Sequence, residues 1–147
     1  MMSENDFLAL LNSAPVVNGV VVETLNDPEL GRLRDELHRV IRGQADASTL
    51  TPHLRGVSEI PSIGHNGVEW TLAGPAERLR QAEIVLEWSR VQSELPGRLR
   101  ACENPECNKF LIDHSKPNTA RWCSMASCGN RMKARRYQAR RSSDGEA

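Results

Sequence analysis

Apolar positions recur at helical spacing in three stretches of the first hundred residues and alternate in two others, with breaks at proline, glycine and asparagine. Ser3 followed by Asp6 makes a capping-box pattern ahead of Phe7, Leu8, Leu10 and Leu11, which predicts a short amphipathic helix over about residues 4–13. Val16 to Leu25 contains Asn18-Gly19 between valines and reads either as a type I′ hairpin or as a loop entering a helix. Asp27-Pro28 is an N-cap with proline at the first helical position. Leu30, Leu33, Leu37, Val40 and Ile41 then predict a helix to about Arg42, stopped by Gly43. Residues 43–58 are polar, with room for one short helical turn. Glu59 to Ile63 and Val68 to Leu72 flank His65-Asn66-Gly67 and predict a second hairpin with Trp70 on its apolar side. Gly74-Pro75 opens the longest helix, with Ala76, Leu79, Ala82 or Glu83, Leu86 and Val91 along one side, and Pro96-Gly97 ends it.

The rest of the chain is organised around sulfur. All four cysteines, Cys102, Cys107, Cys123 and Cys128, lie between Arg98 and Arg141 as C-x4-C, 15 residues, C-x4-C. Zinc takes a tetrahedron of thiolates at about 2.3 Å, and two close pairs joined by a hairpin-length insert bring four sulfurs together with little loop strain. One structural Zn2+ per chain is therefore expected. Two disulfides are the competing use of these residues; a chain that keeps its thiols reduced disfavours them, and the redox motif C-x-x-C is absent. Asn104 and Pro105 turn the backbone between the first two ligands, so that amides point at sulfur. Lys109 to His114 reads as a strand, Ser115 to Asn118 as a turn and Thr119 to Cys123 as the returning strand, with Phe110, Ile112 and Trp122 covering the metal. Ser124 to Arg141 reads as a helix whose amino terminus favours thiolate at Cys123 and Cys128. His114 is expected to be an ordinary strand or turn residue.

Composition adds little until it is divided along the chain. At 39% hydrophobic and 26% charged residues, the sequence is that of an ordinary folded protein and long enough for one modest core. Its net charge is zero, but residues 1–97 hold 8 Lys/Arg against 14 Asp/Glu, whereas residues 98–141 hold 11 against 3. Binding responds to the field within about 10 Å at ordinary salt, so the last third is the surface for a polyanion. No apolar run is long enough for a membrane span, and Glu4 and Asp6 replace the basic start of a secretory leader. A cytoplasmic location without membrane partners is expected.

Arg100-Ala-Cys102, Cys107, Phe110-Leu-Ile-Asp113, Arg121-Trp-Cys123-Ser-Met-Ala-Ser-Cys128-Gly-Asn-Arg131, Lys133 and Arg135-Arg-Tyr137 resemble the CGNR zinc-finger family, named for the four residues found here at Cys128 to Arg131. The resemblance implies a bacterial protein in which the finger follows a mostly helical ABATE domain, and a role as a stress-induced transcriptional regulator. The hairpin around Trp70, the helix from Pro75 and the entry Leu99-Arg-Ala-Cys102 are similar to the end of that domain; the segment before them is shorter than in the family. The expected architecture is α+β. Residues 1–97 form a mostly helical ABATE-like domain with a small β-hairpin, residues 98–141 a treble-clef-like four-cysteine zinc finger with a basic C-terminal helix, and residues 142–147 a disordered tail.

Arg131, Lys133, Arg135, Arg136, Arg140 and Arg141 follow the last ligand, and Arg121 precedes the third. With Met125, Cys128, Met132 and Ala139 packed on the finger, Lys133, Arg136 and Arg140 would form a one-sided stripe suited to the DNA major groove. Lys109 and Lys116 would extend the phosphate footprint. Two roles are open to Arg131, contact with nucleic acid or a brace on ligand sulfur and backbone carbonyls. No catalytic motif is present, and four thiolates leave zinc no position for water, so the chain is expected not to be an enzyme. DNA is the expected partner, with a homodimer and a small-molecule or protein effector of the first domain as further partners. A protein-interaction or RNA-binding module is the alternative.

Overall fold

A computed structural model describes residues 2–144. Helix α1 (Glu4–Leu11) begins at Ser3, whose Oγ accepts the Asp6 amide at 3.1 Å and donates to Asp6 Oδ2 at 2.7 Å. Asn18 and Gly19 both take positive φ, 52° and 77°, as a type I′ turn requires, and strands β1 (Val16–Val17) and β2 (Val20–Val21) pair across them. The hairpin reading of this stretch therefore holds over the helix-entry one. In α2 (Pro28–Ile41), Asp27 Oδ1 accepts the amides of Glu29 and Leu30, and Gly43 turns the chain away at φ 73°. A 3-10 helix, Ala47–Leu54, fills the polar stretch. Strands β3 (Ser58–Gly64) and β4 (Gly67–Ala73) form a long two-stranded ribbon, and α3 (Ala76–Glu94) follows.

Trp70 lies on the apolar side of the ribbon, as expected, with Pro61, Ile63 and Val68, but that side is left uncovered and Trp70 is 62% exposed. Leu86 is also exposed, whereas Ala82 and Val91 are buried as expected; the buried residues of α3 are Gln81, Ala82, Ile84, Val85, Glu87 and Val91, with Trp88 packed beside them. Gln81, Ile84, Val85 and Trp88 stand at i, i+3, i+4 and i+7, and the buried side is turned partly away from the expected one because a pattern of residue types counts Ala76 and Leu86 as core and Gln81 and Glu87 as surface.

The core gathers Phe7 and Leu11 of α1, Leu33 and Leu37 of α2, and Ile84 and Val91 of α3, then continues without a break into Leu99 and Phe110. These last two belong to β5 (Leu99–Ala101) and β6 (Phe110–Ile112), an antiparallel pair within the cysteine-bearing segment. Here the expected hairpin is corrected: β6 pairs with the strand before it, not with Thr119–Cys123, which forms no strand. The backbone amide and carbonyl of Phe110 are already used by the Asn12 side chain, at 2.8 and 3.1 Å. Its ring stacks tilted on His38, centroids 4.6 Å apart, under the Arg42 guanidinium. Phe110 and Ile112 thus pack into the main core instead of covering the metal site.

Asn108 makes a second clamp, accepting the Val16 amide at 3.0 Å and donating to the Ala14 carbonyl at 2.6 Å. Burying Phe110 fully is worth roughly 1.5–3 kcal/mol, so the segment after Pro96-Gly97 is docked and not merely tethered. A π-helical turn (Met125–Gly129) and α4 (Asn130–Asp144) close the chain. Helix α4 thus runs past Arg141, where the finger was expected to end, and residues 145–147 of the expected tail lie outside the described residues. Among the described residues no helix is long and apolar enough to cross a membrane.

Candidate metal centre

The first two cysteines sit in the loop joining β5 to β6. Cys102 directly follows β5, its amide donating to the Lys109 carbonyl at 2.9 Å, and the Cys107 amide donates to the Asn104 carbonyl at 2.9 Å, which makes the tight knuckle. The other two flank the entry to the last helix. The Glu103 amide donates to the Arg121 carbonyl at 2.9 Å and draws the incoming chain alongside the knuckle. Ser124 caps the π turn through its Oγ to the Ala126 amide, and Gly129 N–H reaches the Ser124 carbonyl at 2.9 Å, an i to i−5 bond. A Cβ on Gly129 would fall 2.6 Å from Met125 Sδ and 3.2 Å from Trp122 Cδ1, so a larger residue here would push the Met125 side chain aside.

All four Sγ atoms lie within 4.8 Å of one another, with Cys107–Cys123 at 3.7 Å and Cys123–Cys128 at 3.6 Å. Sulfurs arranged tetrahedrally about 2.3 Å from a metal are about 3.8 Å apart, whereas a disulfide needs about 2.05 Å. The cluster therefore has the dimensions of one zinc site, and its four cysteines are unbridged. Three N–H groups point at sulfur: Lys109 at Cys107 (3.4 Å), Cys123 at Cys102 (3.3 Å) and the Asn104 side chain at Cys128 (3.4 Å). Burial pushes the Cys107 and Cys123 thiols up. Cys128 feels the same burial, but the Asn104 amide and the neighbouring thiols outweigh it and bring Cys128 down to about 7. Cys128 is thus poised to ionise ahead of Cys107 and Cys123, and a divalent cation is what allows those two to follow. His114 stands outside the cluster, exposed and hydrogen-bonded to Glu4.

The sequence missed one organising residue and showed only half the role of another. Asp113 is 3% exposed, yet accepts from the Ser115 amide and hydroxyl, the Ala120 amide and Arg100. Those partners, the serine hydroxyl foremost, hold its carboxyl well below the usual range. Arg100 also donates to the Gly97 and Ala120 carbonyls and to Asn118, so the pair pins the loop that returns to Cys123. The signal was present: a carboxylate closing the apolar run Phe110-Leu-Ile is stable there only with donors around it. Asn104, 1% exposed, is the other; its Oδ1 accepts the Glu106 amide at 3.1 Å while its Nδ2 faces Cys128.

The expected nucleic-acid residues fall into two groups. Arg121 pairs with Glu103 and lies 4.9 Å from the Trp122 ring centre, with Arg136 on the same ring at 5.9 Å. Arg135 pairs with Glu106 at 2.6 Å. Arg131, Lys133, Arg140 and Arg141 are exposed and have no acidic partner among the described residues. Arg131 makes no hydrogen bond to sulfur or backbone among those residues either, so a bracing role finds no contact here. The one-sided stripe is corrected: from Lys133 to Ser142 every side chain of α4 is exposed, Ala139 included. The helix projects beyond its root, and its cations lie all round it.

A hairpin knuckle, a π turn and four thiols at tetrahedral spacing define a four-cysteine zinc finger within an α+β fold. Residues 98–141 match the family model of the CGNR zinc finger. No curated protein shows a significant match to the chain.

Proposed function

We propose that this chain is a cytoplasmic, DNA-binding regulator of transcription of bacterial type, in which one structural zinc ion roots α4 so that its cations meet the duplex. The observation that carries the reading is the free rod itself. Arg131, Lys133, Arg140 and Arg141 stand in solvent without acidic partners among the described residues, on a helix anchored at Cys128. A helix of 15 residues is about 22 Å long and fits the major groove, where arginine reads guanine and lysine contacts phosphate. In this reading the metal does no chemistry, because four thiolates complete its shell. The preceding residues act as an ABATE-like domain that senses an effector or mediates pairing.

The test measures zinc per chain and affinity for random-sequence duplex at several salt concentrations. Arg140→Ala with Arg141→Ala should keep zinc and lower the slope of log K against log salt by about 2, and Cys128→Ser should lose metal and binding together. Unchanged affinity in the double arginine variant would end the proposal. A second reading is favoured by Glu103 and Glu106, which already hold Arg121 and Arg135: an acidic protein surface would satisfy the same cations. Binding to such a partner with no measurable affinity for duplex DNA or for RNA would select it.

A further inference from the structure

The ribbon β3–β4 exposes a face that a folded protein ordinarily covers. Cross-strand partners share a face, so Pro61–Trp70 and Ile63–Val68 lie on one side, continuing into Leu72 and Glu59 at the base. Ile63 is 82% exposed, Trp70 62% and Val68 58%. Only the base has cover: Leu54, Val57, Leu72, Ala82 and Leu86 line a small cavity of about 130 Å³ between ribbon, α3 and the 3-10 segment. A two-stranded hairpin is marginal in water unless its apolar face packs on something.

We propose that this face is a homodimer interface, occupied by the same face of a second copy of the chain. Between Pro61 and Val68 the face carries no charge, and Glu69 lies with Ser62 on the opposite side, so nothing on it repels its own image. With a twofold axis between the two apolar pairs, Pro61–Trp70 of one copy stacks on Ile63–Val68 of the other at the usual sheet spacing of about 10 Å.

Size argues in the same direction. Pro61, Ile63, Val68 and Trp70 leave on the order of 450 Å² of side chain open. Two such faces with their rims come to about 1,000–1,200 Å², the lower end of specific interfaces. The expected product is a reversible dimer with a dissociation constant in the micromolar range.

Sedimentation of the zinc-loaded full chain from about 1 to 100 µM tests this. The sedimentation coefficient should rise with concentration, and the tryptophan emission, to which Trp70 contributes with Trp88 and Trp122, should shift to the blue along the same curve. Ile63→Glu, and separately Val68→Lys, should weaken association at least tenfold with helical circular dichroism and zinc content unchanged; both positions are so exposed that folding does not depend on them. A wild-type chain that stays monomeric throughout, or a dimer indifferent to both substitutions, would overturn the proposal. The outcome is independent of DNA binding, because neither residue lies near α4 in sequence and no nucleic acid is present.

Discussion

Asn104 shows how one side chain joins fold and chemistry. It is buried, closes the knuckle by accepting the Glu106 amide, and turns its own amide toward Cys128. Replacing it with alanine orphans a backbone donor and removes a hydrogen bond to thiolate. Asn104→Ala is expected to cost about 1–3 kcal/mol in urea unfolding and to weaken zinc binding by about 10–100-fold in a chelator competition. Unchanged zinc affinity would reduce Asn104 to a turn former, which is all its position next to Pro105 suggested. Asp113 teaches the complementary lesson: a sequence shows a carboxylate, but its four donors come from Ser115, Ala120 and Arg100 and are visible only when the loop is folded.

Elements were legible where their signals are local. Ser3, Asp27, Asn18-Gly19 and Gly43 act within a few residues, and α1, α2 and the first hairpin form where their spacing predicts. The partner of β6 was not legible, because pairing with Leu99–Ala101 or with Thr119–Cys123 satisfies the same short range of sequence; the winner also buries Leu99 and Phe110 in the main core. The clamp from Asn12 to Phe110 spans 98 residues and has no local trace at all. Asn12→Leu should destabilise the chain by about 1–3 kcal/mol while zinc per chain stays at one, since Asn12 bonds the Phe110 backbone and none of the groups that face sulfur. Loss of zinc in that variant would mean that docking on α1 forms the finger. Chelation, conversely, should melt the π turn and α4, whose 15 residues rest on little besides that turn, and spare α1 to α3. Circular dichroism should then fall by about the share of one helix, and a full loss of helix would contradict it.

Titration binds the parts together. Burial holds His38 below the usual 6.5 of imidazole, although its ring nitrogen lies 2.7 Å from the Leu11 carbonyl. A histidine depressed in the folded state contributes stability above its unfolded value, and this is lost as pH falls through 6.5. Arg34 of α2, buried against Ser13, holds Glu23 down to about 2, and Asp113 is depressed likewise; their contributions are present above the ordinary carboxylate range and lost below it. All three act in one direction, so melting temperature should fall steadily from about pH 7 to pH 3. His38→Gln should flatten only the upper part, with zinc content followed in parallel. A melting temperature flat between pH 7 and 5 in the wild type would show that His38 is not desolvated.

The four clustered cysteines, the helix starts and the basic end of the chain are legible in the residues alone, because spacing, capping and charge are properties of neighbouring residues. That the finger shares a core with the helices before it, that the apolar side bearing Trp70 stays open and that α4 projects unsupported emerge in the folded chain. Each of these depends on which distant surface finally covers a side chain, and periodicity says that a residue wants cover without saying what supplies it.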